Sequence, residues 1–195
     1  SQLARENKKF IYGAVRKGAR AKDLEIAIQW LIDAGLLHKV ERTRDAKVPL
    51  KFYADMNAFK LYVLDVGLLG ALTKTPADQI LICNNVFSEY KGAFTENFIL
   101  QELKTIPNLP IYYYNKENST TEIDFIIQAK SKILPVEVKA EINVKAKSLA
   151  TFINQDFASY NLKGVRFSML GFQDQGWVEN VPLFAAKEYI DKMML

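Results

Sequence analysis

From residue 92 onward, apolar residues recur first with helical spacing and then with strand spacing. Residues 92–105 predict a helix, because apolar side chains return there every three or four positions. The side chains of that buried face are Phe94, Phe98, Ile99 and Leu103. The later segments predict three strands, a helix, a strand and a terminal helix, at residues 111–114, 122–128, 133–139, 145–159, 165–170 and 182–193. The order α-β-β-β-α-β with a terminal helix indicates an α/β fold.

A shorter set of elements precedes this core. Residues 22–34 predict an amphipathic helix that ends at Gly35, the position at which glycine commonly terminates a helix. Residues 36–40 and 59–64 predict strands, and Asp65 is expected to cap a short helix that follows it. The helix, the glycine turn, the first of these strands and the basic loop after it resemble the end of a winged helix.

Acidic residues interrupt the apolar pattern of the second and third strands of the core. A hairpin with its turn at residues 130–131 places Asp124 opposite Glu137 and puts Lys139 on the same face, because side chains alternate along a strand. We expect this arrangement to bring two carboxylates within reach of one metal ion. The alternative is a purely structural pairing of Glu122 with Lys139, and of Asp124 with a lysine, on a solvated sheet edge.

A third acidic residue, Glu96, lies at the edge of the buried face of the first core helix. Close carboxylates in an apolar sheet repel each other and are costly to bury, and a divalent cation relieves both penalties. We therefore expect Glu96, Asp124 and Glu137 to bind Mg²⁺ or Mn²⁺ for phosphodiester hydrolysis. Lys139 would orient the attacking water or balance charge at the scissile phosphate. For Glu96 the alternative is an ordinary glutamate on a helix surface.

Composition excludes several other kinds of site. One cysteine, Cys83, rules out an internal disulfide and favours a cytoplasmic location. With His38 as the only histidine, a zinc site of the usual ligands and a serine–histidine triad are not expected. No apolar run approaches the roughly 18 residues that span a bilayer, so no membrane association is expected. Residues 1–51 hold 12 basic and 6 acidic residues, a balance of +6 within a net charge of +4, which is compatible with nucleic-acid contact.

The set Glu96, Asp124 and Glu137-Val138-Lys139, in α-β-β-β-α-β order, resembles the PD-(D/E)xK, or restriction-endonuclease-like, superfamily. In place of the proline that usually precedes the aspartate, this chain has Ile123. A narrower resemblance is to an uncharacterised prokaryotic domain that follows an AAA+-type ATPase module. The segments that carry the narrower resemblance are residues 60–69, 92–98, 122–125 and 135–139.

The resemblance implies a domain organisation and a function. It implies a partial winged-helix segment at residues 1–55 and a nuclease-like domain with a mixed central sheet at residues 56–195. It also implies that the chain is the C-terminal part of a longer protein whose ATPase module acts with it on DNA. The chain itself has no G-x-x-x-x-G-K-[ST] phosphate-binding loop, so we do not expect it to hydrolyse ATP. A metal-dependent nuclease and a catalytically silent nucleic-acid or protein-binding module on the same fold both remain open, as does an oligomeric state.

Overall fold

The structure is a computed structural model that describes residues 9–15, 20–74, 88–117, 119–141 and 145–194. It is an α/β fold with an eight-stranded mixed sheet, whose strand order is β2-β1-β3-β4-β5-β6-β8-β7. The strands are β1 Leu37–Thr43, β2 Ala54–Val63, β3 Ile111–Asn115, β4 Glu122–Ala129, β5 Lys132–Val138, β6 Gly164–Ser168, β7 Gln173–Asp174 and β8 Val178–Pro182. The helices are α1 Tyr12–Val15, α2 Ala21–Asp33, α3 Val66–Thr73, α4 Ser88–Lys104, α5 Lys147–Thr151 and α6 Ala186–Met194. None of the helices in the described ranges has the length and apolar character needed to cross a membrane.

The chain divides into two compact units, and neither unit is continuous in sequence. The first unit consists of Ser1–Val40 and Ala58–Gln101, and the second consists of Glu41–Asn57 and Glu102–Leu195. Strands β1 and β2 therefore each contribute residues to both units. The division into residues 1–55 and 56–195, and the winged-helix assignment of the first part, stay predictions.

In the first unit, α2 packs its predicted apolar face onto the strands. Ile28 and Ile32 lie against a buried cluster of Leu37, Phe59 and Leu61. Gly35 ends the helix with a φ of +72°, a backbone conformation that side chains other than glycine rarely adopt. The predicted helix, glycine turn and strand are thus confirmed.

In the same unit, side-chain hydrogen bonds to the backbone hold α3 and α4 in place. The carboxylate of Asp65 accepts from the Leu68 N–H at 2.6 Å, so Asp65 caps α3 as predicted. Asn97 on α4 accepts from the Val63 N–H at 3.0 Å and donates to the Val63 carbonyl at 3.1 Å. Asn97 is buried, and these two bonds hold α4 against the end of β2.

In the second unit, β4 and β5 form the predicted hairpin with the predicted register. Phe125 lies opposite Val136, and the pairing continues without a shift to Ala129 opposite Lys132. The turn has Lys130 at a φ of +55°. Strand β5 then pairs in parallel with β6, and β6 pairs in parallel with β8.

Two predicted helices of the second unit differ from the structure. The helix predicted at residues 145–159 is α-helical only over Lys147–Thr151 and continues as a π-turn over Phe152–Asp156, because the Phe157 N–H bonds to the Phe152 carbonyl at 2.9 Å. The Phe152 and Phe157 rings lie 4.4 Å apart, and both contact Tyr114 of β3. The helix predicted at residues 182–193 begins as α6 only at residue 186, because Pro182 is the last residue of β8, a strand that the apolar pattern did not predict.

Candidate functional site

Asp124 and Glu137 lie side by side at the open end of the β4–β5 hairpin. The last regularly paired residues are Phe125 and Val136, and the two acidic residues come next on their strands. Asp124 does not extend into solvent, because its Oδ2 accepts a hydrogen bond of 2.7 Å from the Val138 N–H. This bond fixes the Asp124 carboxylate against the end of β5, beside Glu137.

Glu137 is the most buried of the predicted site residues in this unit, with 6% of its surface exposed. One of its oxygens, Oε1, forms an ion pair with the ammonium of Lys139. The other, Oε2, is buried and has no hydrogen-bond partner among the described residues. A buried carboxylate oxygen is normally satisfied, so an orphaned one needs a physical explanation.

Lys139 comes directly after β5 and is held there by its backbone. Its N–H donates to the Phe167 carbonyl of β6 at 2.8 Å, which extends the parallel pairing by one residue. Its side chain is about one-third exposed, with 32% of its surface accessible. The ammonium therefore contacts Glu137 and remains accessible to a ligand.

The charges of this cluster shift one another's pKa values. The pKa of Glu137 is raised from 4.5 to about 7, first by burial and then by the neighbouring Asp124 carboxylate, while Lys139 and Arg166 act in the opposite direction. Burial acts to lower the pKa of Lys139, but the Glu137 and Asp124 carboxylates outweigh burial and leave it raised. Lys139 is thus charged at neutral pH, while the carboxyl group of Glu137 is easier to protonate than that of an exposed glutamate.

Sequence reasoning did not identify Arg166 as part of this cluster. Arg166 lies opposite Glu137 on β6 and opposite Asn180 on β8, so the three side chains form a row across the sheet. Its Nε donates to Asn180 Oδ1 at 3.0 Å, and burial lowers its pKa while Glu137 raises it. Arg166 lies between the apolar residues Val165 and Phe167. A charged residue inside an apolar strand is the feature that singled out Asp124, so the same argument could have identified Arg166 from the sequence.

Glu96, the fourth predicted site residue, belongs to the first unit. Only 13% of its side chain is exposed, so Glu96 is more buried than an ordinary glutamate on a helix surface. Its Oε1 accepts from the fully buried ammonium of Lys60 at 3.2 Å and from the hydroxyl of Tyr62. Its membership of the site with Asp124 stays a prediction.

The carboxylates suit a loosely held divalent cation rather than a closed metal cage. Among the described residues no group of three or more histidine, cysteine, aspartate or glutamate side chains is arranged to hold a metal. Mg²⁺ is commonly bound by only one or two carboxylates, with water and substrate phosphates completing its shell. Asp124 and the orphaned Oε2 of Glu137 fit that donor set.

Two family models match parts of the chain, and both are described as domains of unknown function. The model DUF4143 matches residues 91–177, a segment that contains all four predicted site residues. The model DUF8612 matches residues 1–79. No curated protein and no solved structure matches the chain. The similarity to an uncharacterised domain is therefore confirmed over residues 91–177, whereas the nuclease superfamily and the ATPase module stay predictions.

Proposed function

We propose that the cluster of Asp124, Glu137 and Lys139 is the active site of a metal-dependent nuclease that cleaves phosphodiester bonds of DNA. The observation that supports this most is the orphaned Oε2 of Glu137, a buried acceptor beside a second carboxylate and an accessible lysine. A divalent cation held by two neighbouring carboxylates needs an acceptor oxygen of this kind that no other group occupies.

Each residue has a distinct task in this proposal. Asp124 and Glu137 hold Mg²⁺ or Mn²⁺, and the Val138 N–H keeps the Asp124 carboxylate oriented toward the site. When bound, the metal polarises the phosphate and makes water a stronger nucleophile at neutral pH. The ammonium of Lys139 neutralises charge on the scissile phosphate or orients the attacking water by hydrogen bonding.

The resemblance to the PD-(D/E)xK superfamily adds a fold, a domain organisation and a DNA substrate to this proposal. The core around the site would be restriction-endonuclease-like, residues 1–55 a partial winged helix, and the chain the cytoplasmic C-terminal part of an AAA+-type ATPase protein. Glu96 would join the metal ligands. The positive balance of residues 1–51 supports DNA as the partner, because phosphate neutralisation by lysine and arginine dominates its binding.

A catalytically silent binding module is the second candidate. In its favour, Lys139 already pairs with Glu137, and the Val138 N–H already occupies one oxygen of Asp124. In this case the cluster would be a structural network that closes the end of the hairpin.

A cleavage assay separates the two candidates. Purified protein is incubated with end-labelled single-stranded and double-stranded DNA in Mg²⁺, in Mn²⁺ and in EDTA. The nuclease proposal expects metal-dependent cleavage by the wild type, and at least about a hundredfold slower cleavage by Glu137→Ala and Lys139→Ala, since both groups act in the same step. Glu188→Ala, an exposed glutamate on α6, is the control and should cleave like the wild type.

Undiminished cleavage by Glu137→Ala would place the activity at another site or in a contaminant. Absence of cleavage by the wild type in both metals, on both substrates, would favour the silent module. Circular dichroism of each variant checks that a loss of activity is not a loss of fold.

A further inference from the structure

A cavity lies at the opposite end of the β4–β5 hairpin from Asp124 and Glu137. Its volume is about 590 Å³, within the range of about 300 to 1,000 Å³ typical of small-molecule sites. Glu137 comes five positions after Lys132, a residue of the cavity wall, which is about 16 Å along an extended strand. The cavity is therefore separate from the candidate active site.

The charged side chains that line this cavity are all basic. Three lysines line it, Lys47, Lys132 and Lys163, and none of the described lining residues is acidic. Lys132 is exposed at the hairpin turn and makes no ion pair with any residue in the described part of the chain. An anion that enters the cavity therefore meets at least one ammonium without a competing carboxylate partner.

The other two ammonium groups are held in place by carboxylates outside the lining. The Lys163 ammonium donates to Asp174 at 2.9 Å and to Glu179 at 2.6 Å, which leaves a third N–H for a ligand. The Lys47 ammonium pairs with Asp45 at 3.3 Å and lies 5.3 Å from the centre of the Tyr160 ring. Positions fixed in this way lower the entropy cost of binding an anion.

The floor of the cavity is apolar. Among its lining residues, Ala46, Ile133 and Leu134 are buried, and Tyr160 and Leu162 are partly buried. A simple inorganic anion would use the lysines but leave this surface in contact with water. A ligand with an apolar or aromatic body and an attached phosphate would use both.

We propose that this cavity binds the phosphate and base of a nucleotide, with the phosphate on the lysines and the base on the apolar floor. A nucleotide can reach it as a free mononucleotide or as one residue of a DNA strand, and the chemistry of recognition is the same. The proposal stands apart from the nuclease proposal, because it concerns binding at a distance from Asp124 and Glu137.

Equilibrium binding tests it with four probes: thymidine monophosphate, thymidine, inorganic phosphate and a thymidine hexanucleotide. Titrations with each are followed by calorimetry without divalent metal. Thymidine monophosphate should bind at least about tenfold more tightly than thymidine or inorganic phosphate. Lys132→Ala should weaken that binding about tenfold, in line with the loss of one charge-assisted contact. Lys187→Ala removes the same charge from an exposed position on α6, outside the lining, and should bind like the wild type.

The hexanucleotide identifies the source of the nucleotide. Binding tighter than that of the monophosphate, and weakened by Lys132→Ala, supports a DNA strand; weaker binding supports a free mononucleotide. Three results would each overturn the proposal. Thymidine monophosphate does not bind, it binds no more tightly than inorganic phosphate, or it binds equally to the wild type and to Lys132→Ala. An unchanged melting temperature of Lys132→Ala shows that the variant is folded.

Discussion

Replacing Glu137 with glutamine should make the folded protein more stable at pH 8. Glutamine has nearly the same shape and still accepts a hydrogen bond from Lys139, but it removes the ionised form that burial and Asp124 disfavour. The difference between a pKa of 4.5 in the unfolded chain and about 7 in the folded one corresponds to about 3 kcal/mol of differential free energy. Because Lys139 loses its charged partner in the variant, about 3 kcal/mol is an upper limit for the gain.

The sign of the pH dependence follows from the raised pKa. Between pH 4.5 and about 7 the folded chain keeps a proton on Glu137 that the unfolded chain has released. The contribution of Glu137 to stability is therefore fully present below pH 4.5 and is lost as the pH rises through about 7. We expect the stability of the wild type relative to the Glu137→Gln variant to fall by up to about 3 kcal/mol between pH 4.5 and pH 8.

Urea unfolding of both proteins at several pH values between 4.5 and 8 measures this difference. Glu188→Gln, which changes an exposed glutamate on α6, is the matched control and should follow the wild type at every pH. Parallel stability curves for the wild type and Glu137→Gln over this range would refute the reasoning, because the buried carboxylate would then titrate at the same pH in the folded and unfolded chains.

Two further substitutions test the packing of each unit by the same urea assay. Glu96→Gln leaves the fully buried ammonium of Lys60 without its carboxylate and should cost about 3 kcal/mol, so a cost below about 1 kcal/mol would contradict the assigned ion pair. Gly164→Ala places a methyl group 2.9 Å from the side-chain methyls of Leu149 and Ile153 and should cost about 1 kcal/mol, whereas an equal or greater stability would show that this helix–strand contact has room to spare.

The central hairpin was predictable from the sequence because its information is local. Two apolar runs indicated β4 and β5, and the polar turn residues between them suggested the simplest register, which the structure has. The juxtaposition of Asp124 with Glu137 and Lys139 followed from that register alone. The hydrogen bond from the Val138 N–H to Asp124 could not be predicted from the register, because it forms where regular pairing ends.

The elements that escaped prediction depend on contacts between distant residues. Strand β8 is short and interrupted by Glu179 and Asn180, so it has no clear alternation, and its pairing with β6 and β7 makes it a strand. The π-turn after α5 follows from the packing of Phe152 on Phe157, which a helical repeat does not encode.

The division of the chain into two interleaved units could not be predicted from the order of elements along the sequence either. Residues 41–57 fold with the second unit although they lie between two segments of the first. The buried ion pair of Arg42 with Asp55 lies within this stretch, and the Arg42 guanidinium also donates to Asn115, far away in sequence. Composition shifts along the chain therefore do not coincide with the compact units.

Titration of Mn²⁺ into the protein by calorimetry tests the central claim most directly, because it asks whether Asp124 and Glu137 hold a cation at all. The account predicts a saturable isotherm for the wild type in the presence of a non-cleavable DNA analogue, since substrate phosphates complete the metal shell. Asp124→Asn, which can still accept the hydrogen bond from Val138, should abolish that isotherm, and Asp191→Asn on α6 should leave it unchanged. An identical isotherm for the wild type and Asp124→Asn, or no binding by the wild type, would contradict the account.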